Sequence, residues 1–101
     1  MEESRELGIY DDRFLPGLQR LVRAIHEGGA KASIQLGHGG GHTRRDICGE
    51  TPVAPSSIPH PVYETTFETI IPEAMTKPRI AACVAAFAAA AARAQRAGFD
   101  C

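Results

Sequence analysis

The chain has 101 residues, of which 44% are hydrophobic and 23% charged, and its formal net charge is −1. These proportions are typical of a small globular domain and argue against a disordered polypeptide. The lack of a basic stripe and of tryptophan excludes a typical nucleic-acid-binding protein.

The cysteine pattern and the apolar runs indicate a cytoplasmic protein without a membrane partner. Three widely spaced cysteines form neither a CxxC motif nor a disulfide framework, so we expect reduced thiols. The longest apolar run, 80–92, is shorter than the ~20 residues that span a bilayer.

The first predicted element is a helix over 13–27. Asp12 is its predicted N-cap, and Pro16 suits the first turn, where a missing N–H costs little. Gly28 and Gly29 are expected to end the helix, because glycine accepts the left-handed conformation. The apolar residues recur at the spacing of one helical stripe: Leu15, Leu18, Leu21, Val22 and Ile25.

A buried parallel strand is predicted over 30–36, a short run of small and apolar residues between glycines. Residues 37–75 then carry no helical or alternating period and are rich in proline, glycine, serine and threonine. Loops this long are usually functional or disordered. Their scattered apolar residues predict an ordered but irregular excursion that packs on a larger body.

A second helix is predicted over 77–97, with Thr76 as N-cap and Gly98 as terminator. Cys83 is assigned to the core of this helix. Residues 99–101 resemble the first residues of a further strand. The predicted buried face follows helical spacing and comprises Ile80, Val84, Phe87, Ala91 and Ala94.

The resulting order is helix, strand, long loop, helix and strand start, which is part of a repeating α/β chain. One complete strand cannot form a sheet. We therefore expect the chain to be an internal piece of a larger protein, with weak tertiary packing when isolated.

Gln35 is the candidate ligand-binding residue. It lies at the carboxyl end of the predicted strand, where α/β proteins bind their ligands. Its amide offers one acceptor and two donors, which suits the edge of a flat heterocycle. The glycines that follow let a ligand approach the backbone. The alternative interpretation is a polar strand end followed by a flexible glycine turn.

A metal site at His38, His42 and Cys48 is suggested by residue type alone. Three glycines separate the two histidines, so no helix holds both on one face, and we predict no metal. Cys48 has no base that the sequence places beside it, so a passive role is expected. Tyr63 is a conceivable proton donor, but packing within the loop is the preferred interpretation.

Several motifs occur in the order found in the old yellow enzyme (NADH:flavin oxidoreductase) family. The run Gln-Leu-Gly-His-Gly-Gly at 35–40 resembles the family's Gln-Leu-x-His-x-Gly motif on the third barrel strand. Pro-Val-Ala-Pro-Ser at 52–56 resembles its Ala-Pro-Ser loop, and Ala-Gly-Phe-Asp at 97–100 resembles the entry to strand four. Gly41 stands where the family usually has arginine. The loop 58–64 resembles the branch that contains 2-enoate reductases.

The resemblance implies an α/β fold in which this chain is a partial sector of a (β/α)8 TIM barrel. It implies FMN as cofactor, NADH or NADPH as reductant, and hydride transfer from reduced flavin to an enone or enoate. Gln35 would hold the pyrimidine edge of the flavin, and no catalytic residue would lie in the chain. The remainder of the barrel is the implied partner, so the isolated chain is expected to be inactive. The alternative is a stand-alone binding or interaction module, or an inactive truncated fragment.

Overall fold

The computed structural model describes residues 6–43, 45, 49–59 and 70–101. The chain divides into two compact units, one containing Gly37–Ile80 and the other containing Leu7–Leu36 with Ala81–Cys101. The regular elements are helix α1 at Leu15–Glu27, strand β1 at Val53–Ala54, strand β2 at Glu73–Ala74 and helix α2 at Lys77–Ala97.

A 3-10 turn at Asp12–Phe14 precedes α1, so the helix begins two residues later than the predicted 13–27. The predicted N-cap is wrong by one residue. Asp11 caps the turn, and its Oδ1 accepts a hydrogen bond from the Arg13 N–H at 2.9 Å. Asp12 is engaged elsewhere, because its carboxylate accepts from Arg93 Nε at 2.7 Å.

Both helices end in the same glycine-dependent motif. Gly29 after α1 has a φ of 82°, and Gly98 after α2 has a φ of 97°. Only glycine adopts such angles without strain. In each case the residue after the glycine donates its N–H back into the helix at 3.2 Å: Ala30 to the Ile25 carbonyl and Phe99 to the Ala94 carbonyl. The two helix ends are thereby closed as Schellman motifs.

Small side chains form the core of the second unit. Its buried hydrophobic residues are Leu18, Val22, Ala32, Ala90, Ala94 and Ala97. The three alanines follow helical spacing on α2 and present little bulk, so they permit close packing. Among the described residues, no helix combines the length and the apolar character needed to cross a bilayer.

The predicted buried face of α2 is largely wrong. Ile80, Val84 and Phe87 are exposed, Val84 by 65%, and of the five predicted positions only Ala94 is buried. Cys83 is half-buried rather than a core residue. The buried face of α2 is formed by Ala90, Ala94 and Ala97, because small side chains allow the closest approach of neighbouring elements. The larger apolar side chains lie on the exposed face of the helix.

Residues 30–36 are extended but are not a strand of a formed sheet, which differs from the prediction. Among the described residues, their pairing with another extended stretch involves Asp100 and Cys101. The Cys101 N–H donates to the Ala32 carbonyl at 3.3 Å, and the Ile34 N–H donates to the Cys101 carbonyl at 2.8 Å. This is the bonding pattern of one parallel pair, Ser33 with Cys101. A single pair is too short to count as a ladder.

The segment 37–75 is not wholly irregular, which corrects the predicted long loop. Strands β1 and β2 pair in parallel, with Val53 opposite Glu73 and Ala54 opposite Ala74. The Glu73 N–H donates to the Pro52 carbonyl at 2.8 Å. This pairing cannot be predicted from the sequence, because a strand of two residues is too short to show an alternating apolar pattern.

Gly98 and Gly29 provide a matched test of helix termination. An alanine Cβ at Gly98 would lie 3.3 Å from Val22 Cγ1, whereas one at Gly29 would meet nothing within 4 Å. Both substitutions carry the left-handed backbone cost of about 1–2 kcal/mol. We expect Gly98→Ala to lower the free energy of unfolding of the complete protein more than Gly29→Ala does. Denaturant unfolding of the two variants measures this, and equal losses would contradict close packing of α1 on the end of α2.

Candidate cofactor-binding segment and its anchor

Burial alternates along residues 31–36, as an extended chain requires. Ala32 is only 1% exposed. The buried or half-buried side of the segment comprises Ala32, Ile34 and Leu36, and the exposed side comprises Lys31, Ser33 and Gln35. Gln35 therefore lies on the face opposite the one that packs into the second unit. Its side chain is exposed.

The residues from Gly37 onward belong to the first unit. A Cβ added at Gly37 would meet none of the described residues within 4 Å, so nothing in that part of the chain crowds the backbone there. His38 is exposed, and its Nδ1 accepts a hydrogen bond from the Gly40 N–H at 3.1 Å. In a neutral ring this bond leaves the proton on Nε2. Gly41 is turned inward, since its Cβ would lie 3.5 Å from the Ala54 Cβ.

The other end of the segment is anchored by Asp100. Its Oδ2 accepts from the Ala32 N–H at 2.9 Å and lies 2.7 Å from His26 Nε2, while Oδ1 accepts from Lys31 Nζ at 3.2 Å. The Asp100 N–H donates in turn to the Ala32 carbonyl at 2.8 Å. One carboxylate thus joins the end of α1, the start of the segment and the residues after α2.

The hydrogen bond from Ala32 holds the pKa of Asp100 well below its usual range, with help from His26 and Lys31. Partial burial opposes this shift but does not overcome it. A second carboxylate in the same unit behaves alike. The hydrogen bond from Arg93 lowers the pKa of Asp12, and the charge of Arg96 adds to the effect.

Sequence reasoning named Gln35 but missed the role of Asp100. The available signal was indirect, an acidic residue just after a helix-ending glycine, with His26 and Lys31 at the matching helix end. Their separation of about 70 positions hides the cluster from any reading of local spacing.

An open groove of about 590 Å³ borders this anchor in the second unit. It is lined by Gln19, Val22, Arg23, His26, Glu27, Ala97 and Gly98. Gln35 is not among these residues, so the groove is separate from the predicted cofactor contact.

Only some of the residues suggested for a metal site or a nucleophile lie among the described residues. Cys48 and Tyr63 lie outside the described residues. Within the part of the chain that the structure describes, no group of three or more His, Cys, Asp or Glu residues is placed to hold a metal ion. Cys83 and Cys101 are free thiols.

The arrangement defines a class of protein. An extended segment between two helices, packed on one face and carrying a polar amide on the other, is typical of α/β proteins. The chain belongs to the NADH:flavin oxidoreductase / NADH oxidase family, whose sequence profile matches residues 2–101. This match confirms the family resemblance, and the solved structure described below confirms the barrel-sector fold class.

Individual relatives of known name are also similar in sequence to this chain. The chain is 47% identical over 90 residues to a metal reductase of Desulforamulus reducens, covering 89% of this chain and 13% of that protein. It is 40% identical over 97 residues to an NADPH dehydrogenase of Bacillus cytotoxicus, covering 96% of this chain and 26% of the relative. The chain therefore spans about a quarter or less of the length of these relatives.

A solved structure extends the likeness to three dimensions. A morphinone reductase variant in complex with tetrahydroNAD matches with a TM-score of 0.79 and 31% identity. The match covers 92% of this chain and 29% of that chain. Family and neighbours agree with FMN and a nicotinamide as the cofactors that the resemblance implied.

The Asp100 anchor makes stability depend on acid pH. A depressed pKa in the folded state means that the carboxylate stabilises the fold above its unfolded pKa, about 4. This contribution is lost as the pH falls through the lower folded value. We expect Asp100→Asn to lower the melting temperature of the complete protein by a few degrees at pH 6. The deficit should shrink as the pH falls below about 4.

Glu27→Gln is the matched control, since it removes one exposed acidic charge from the same unit. Melting curves between pH 2.5 and 7, followed by circular dichroism, test the comparison. A deficit in Asp100→Asn that stays constant over this range, or an equal deficit in Glu27→Gln, would show that the carboxylate is not an anchor.

Proposed function

We propose that the complete protein is a cytoplasmic, FMN-dependent NAD(P)H oxidoreductase that reduces the activated C=C bond of an enone or enoate. The observation that carries the proposal is the position of Gln35 on the open face of 30–36, within a motif characteristic of the family. The relatives named NADPH dehydrogenase and morphinone reductase support the reaction class.

The residues present fit the flavin. The pyrimidine edge of a flavin alternates acceptors and donors, and the exposed amide of Gln35 supplies both kinds of group. Gly37, where an added Cβ would meet nothing within 4 Å, keeps the adjoining backbone free of a side chain. Gln35 would hold bound FMN, and the flavin would supply the chemistry of hydride transfer between NAD(P)H and the alkene.

Gln35 has the role of orienting and holding the ring, not of transferring protons. Its amide is neutral and does not titrate in the physiological range, so it can read the edge of the ring at any working pH. A neutral hydrogen bond contributes about 1 kcal/mol net, and a buried partner left unpaired costs about 1–3 kcal/mol.

The remainder of the barrel is the proposed partner of this chain. Exposed apolar side chains on α2, among them Ile80 and Val84, are surfaces that further barrel elements would cover. The neighbouring structure supports this, because the chain matches only 29% of its length.

A second candidate acceptor is a metal ion, since the relative with 47% identity is named a metal reductase. Reduced flavin can pass electrons to either kind of acceptor. NADH and NADPH oxidation by the complete protein, with an enone, an enoate and an oxidised metal ion offered in turn, separates the two candidates and identifies the reductant.

Substitution of Gln35 tests the cofactor contact. In the complete protein, Gln35→Ala should weaken FMN binding by roughly tenfold, which corresponds to about 1.4 kcal/mol. Titration of the apoprotein with FMN, followed by flavin fluorescence, measures the dissociation constant.

Gln19→Ala is the control, because it removes an identical amide of the same unit, one that donates to the Arg96 carbonyl at 3.3 Å. It should leave FMN affinity unchanged. An unaltered dissociation constant in Gln35→Ala would remove Gln35 from the flavin site.

A further inference from the structure

We propose that Asp100 is a positioning residue for flavin binding: its carboxylate sets the register of residues 30–36 and thereby the place of Gln35. The inference rests on the proposed contact between Gln35 and FMN. It assigns a cofactor-related role to a cluster at the end of the segment away from Gln35.

The first step is the doubled link between Asp100 and Ala32. The Ala32 N–H donates to Asp100 Oδ2 at 2.9 Å, and the Asp100 N–H donates to the Ala32 carbonyl at 2.8 Å. A side-chain oxygen here takes the position that a backbone carbonyl would occupy in a longer ladder. Two bonds between the same two residues fix their alignment along the strand direction.

The second step carries this alignment toward Gln35. The Ile34 N–H donates to the Cys101 carbonyl at 2.8 Å, in register with the link at Ala32. Gln35 is the next residue along the chain. The pairing between these two stretches therefore extends to the residue next to the proposed flavin contact.

The third step is the consequence of a slip in register. A slip of one residue would turn Gln35 onto the buried face, because side chains alternate. A slip of two would keep its face but move it about 7 Å along the strand. Either shift is far larger than the tolerance of a hydrogen bond. Correct register is therefore a condition for the contact.

The fourth step is the support of the carboxylate itself. His26 Nε2 lies 2.7 Å from Asp100 Oδ2 and belongs to the last turn of α1. Lys31 Nζ lies 3.2 Å from Oδ1 and neutralises the charge. Asp100 is 28% exposed as a side chain, so these partners hold it in a partly desolvated place. The register is thus tied to the end of a rigid helix.

A double-mutant cycle on FMN affinity in the complete protein separates positioning from mere stabilisation. We expect Asp100→Ala to weaken FMN binding about fivefold at a temperature where circular dichroism shows it folded. The double variant with Gln35→Ala should weaken FMN binding only about tenfold, because Asp100 acts through the Gln35 amide and has no effect once that amide is removed. Asp12→Ala is the control: it removes an ion-paired carboxylate of the same unit. Its effect on FMN affinity should be negligible.

Asp100→Glu is the second variant and covers the case in which Asp100→Ala does not fold. It keeps the charge, but its extra methylene moves the oxygens off the Ala32 N–H. A positional role predicts the same loss and the same coupling with Gln35→Ala, whereas a role of charge alone predicts full rescue.

The outcomes separate the two proposals. Unchanged affinity in the Asp100 variants, additive losses, or rescue by glutamate would overturn the positioning role while Gln35→Ala still weakens FMN. No effect of Gln35→Ala would overturn the Gln35 contact, and the positioning role with it.

Discussion

The carboxylate of Asp100 is the interaction on which the second unit depends. It accepts from the Ala32 backbone and pairs with His26 and Lys31, so that three separate stretches of chain meet at one group. Charged hydrogen bonds of this kind are roughly twice as strong as neutral ones. In an α/β barrel the ends of the strands where such a cluster sits serve stability, and the opposite ends serve binding. The proposed flavin contact would place this division along a single segment, with the anchor at Ala32 and the exposed Gln35 toward the other end.

Close packing of small side chains is the second constraint. Ala90, Ala94 and Ala97 are buried on α2. The larger apolar residues of the same helix, including Val84, remain exposed. A helix with one face of alanines and another of exposed larger residues is suited to an outer ring, where it packs on a strand and on neighbouring helices. The share of relatives that the chain covers agrees with this position in a larger barrel.

Much of the helical structure is predictable because its signals are local. Pro16, the glycine pairs and the leucine spacing place α1 within two residues of its observed start, and Thr76 with Gly98 bounds α2. The faces are less predictable. Apolar size favoured Val84 and Phe87 as buried residues, whereas close approach selected alanine. The N-cap was misplaced because Asp12 pairs with Arg93, 81 residues away.

The candidate site divides in the same way. Gln35 could be named from its motif and its place after an apolar run, which are local features. Asp100 could not, since its partners are 68 to 74 residues distant and only the folded chain brings them together. The two-residue strands β1 and β2 were missed for another reason, because Val53–Ala54 and Glu73–Ala74 are too short to carry a period.

The most direct test of the account is a crystal structure of the complete protein with FMN bound. The account predicts the Gln35 amide within hydrogen-bond distance of the flavin pyrimidine ring, and Asp100 Oδ2 still on the Ala32 N–H. A structure in which Gln35 faces the helices or points away from the flavin, with the Asp100 link intact, would contradict it.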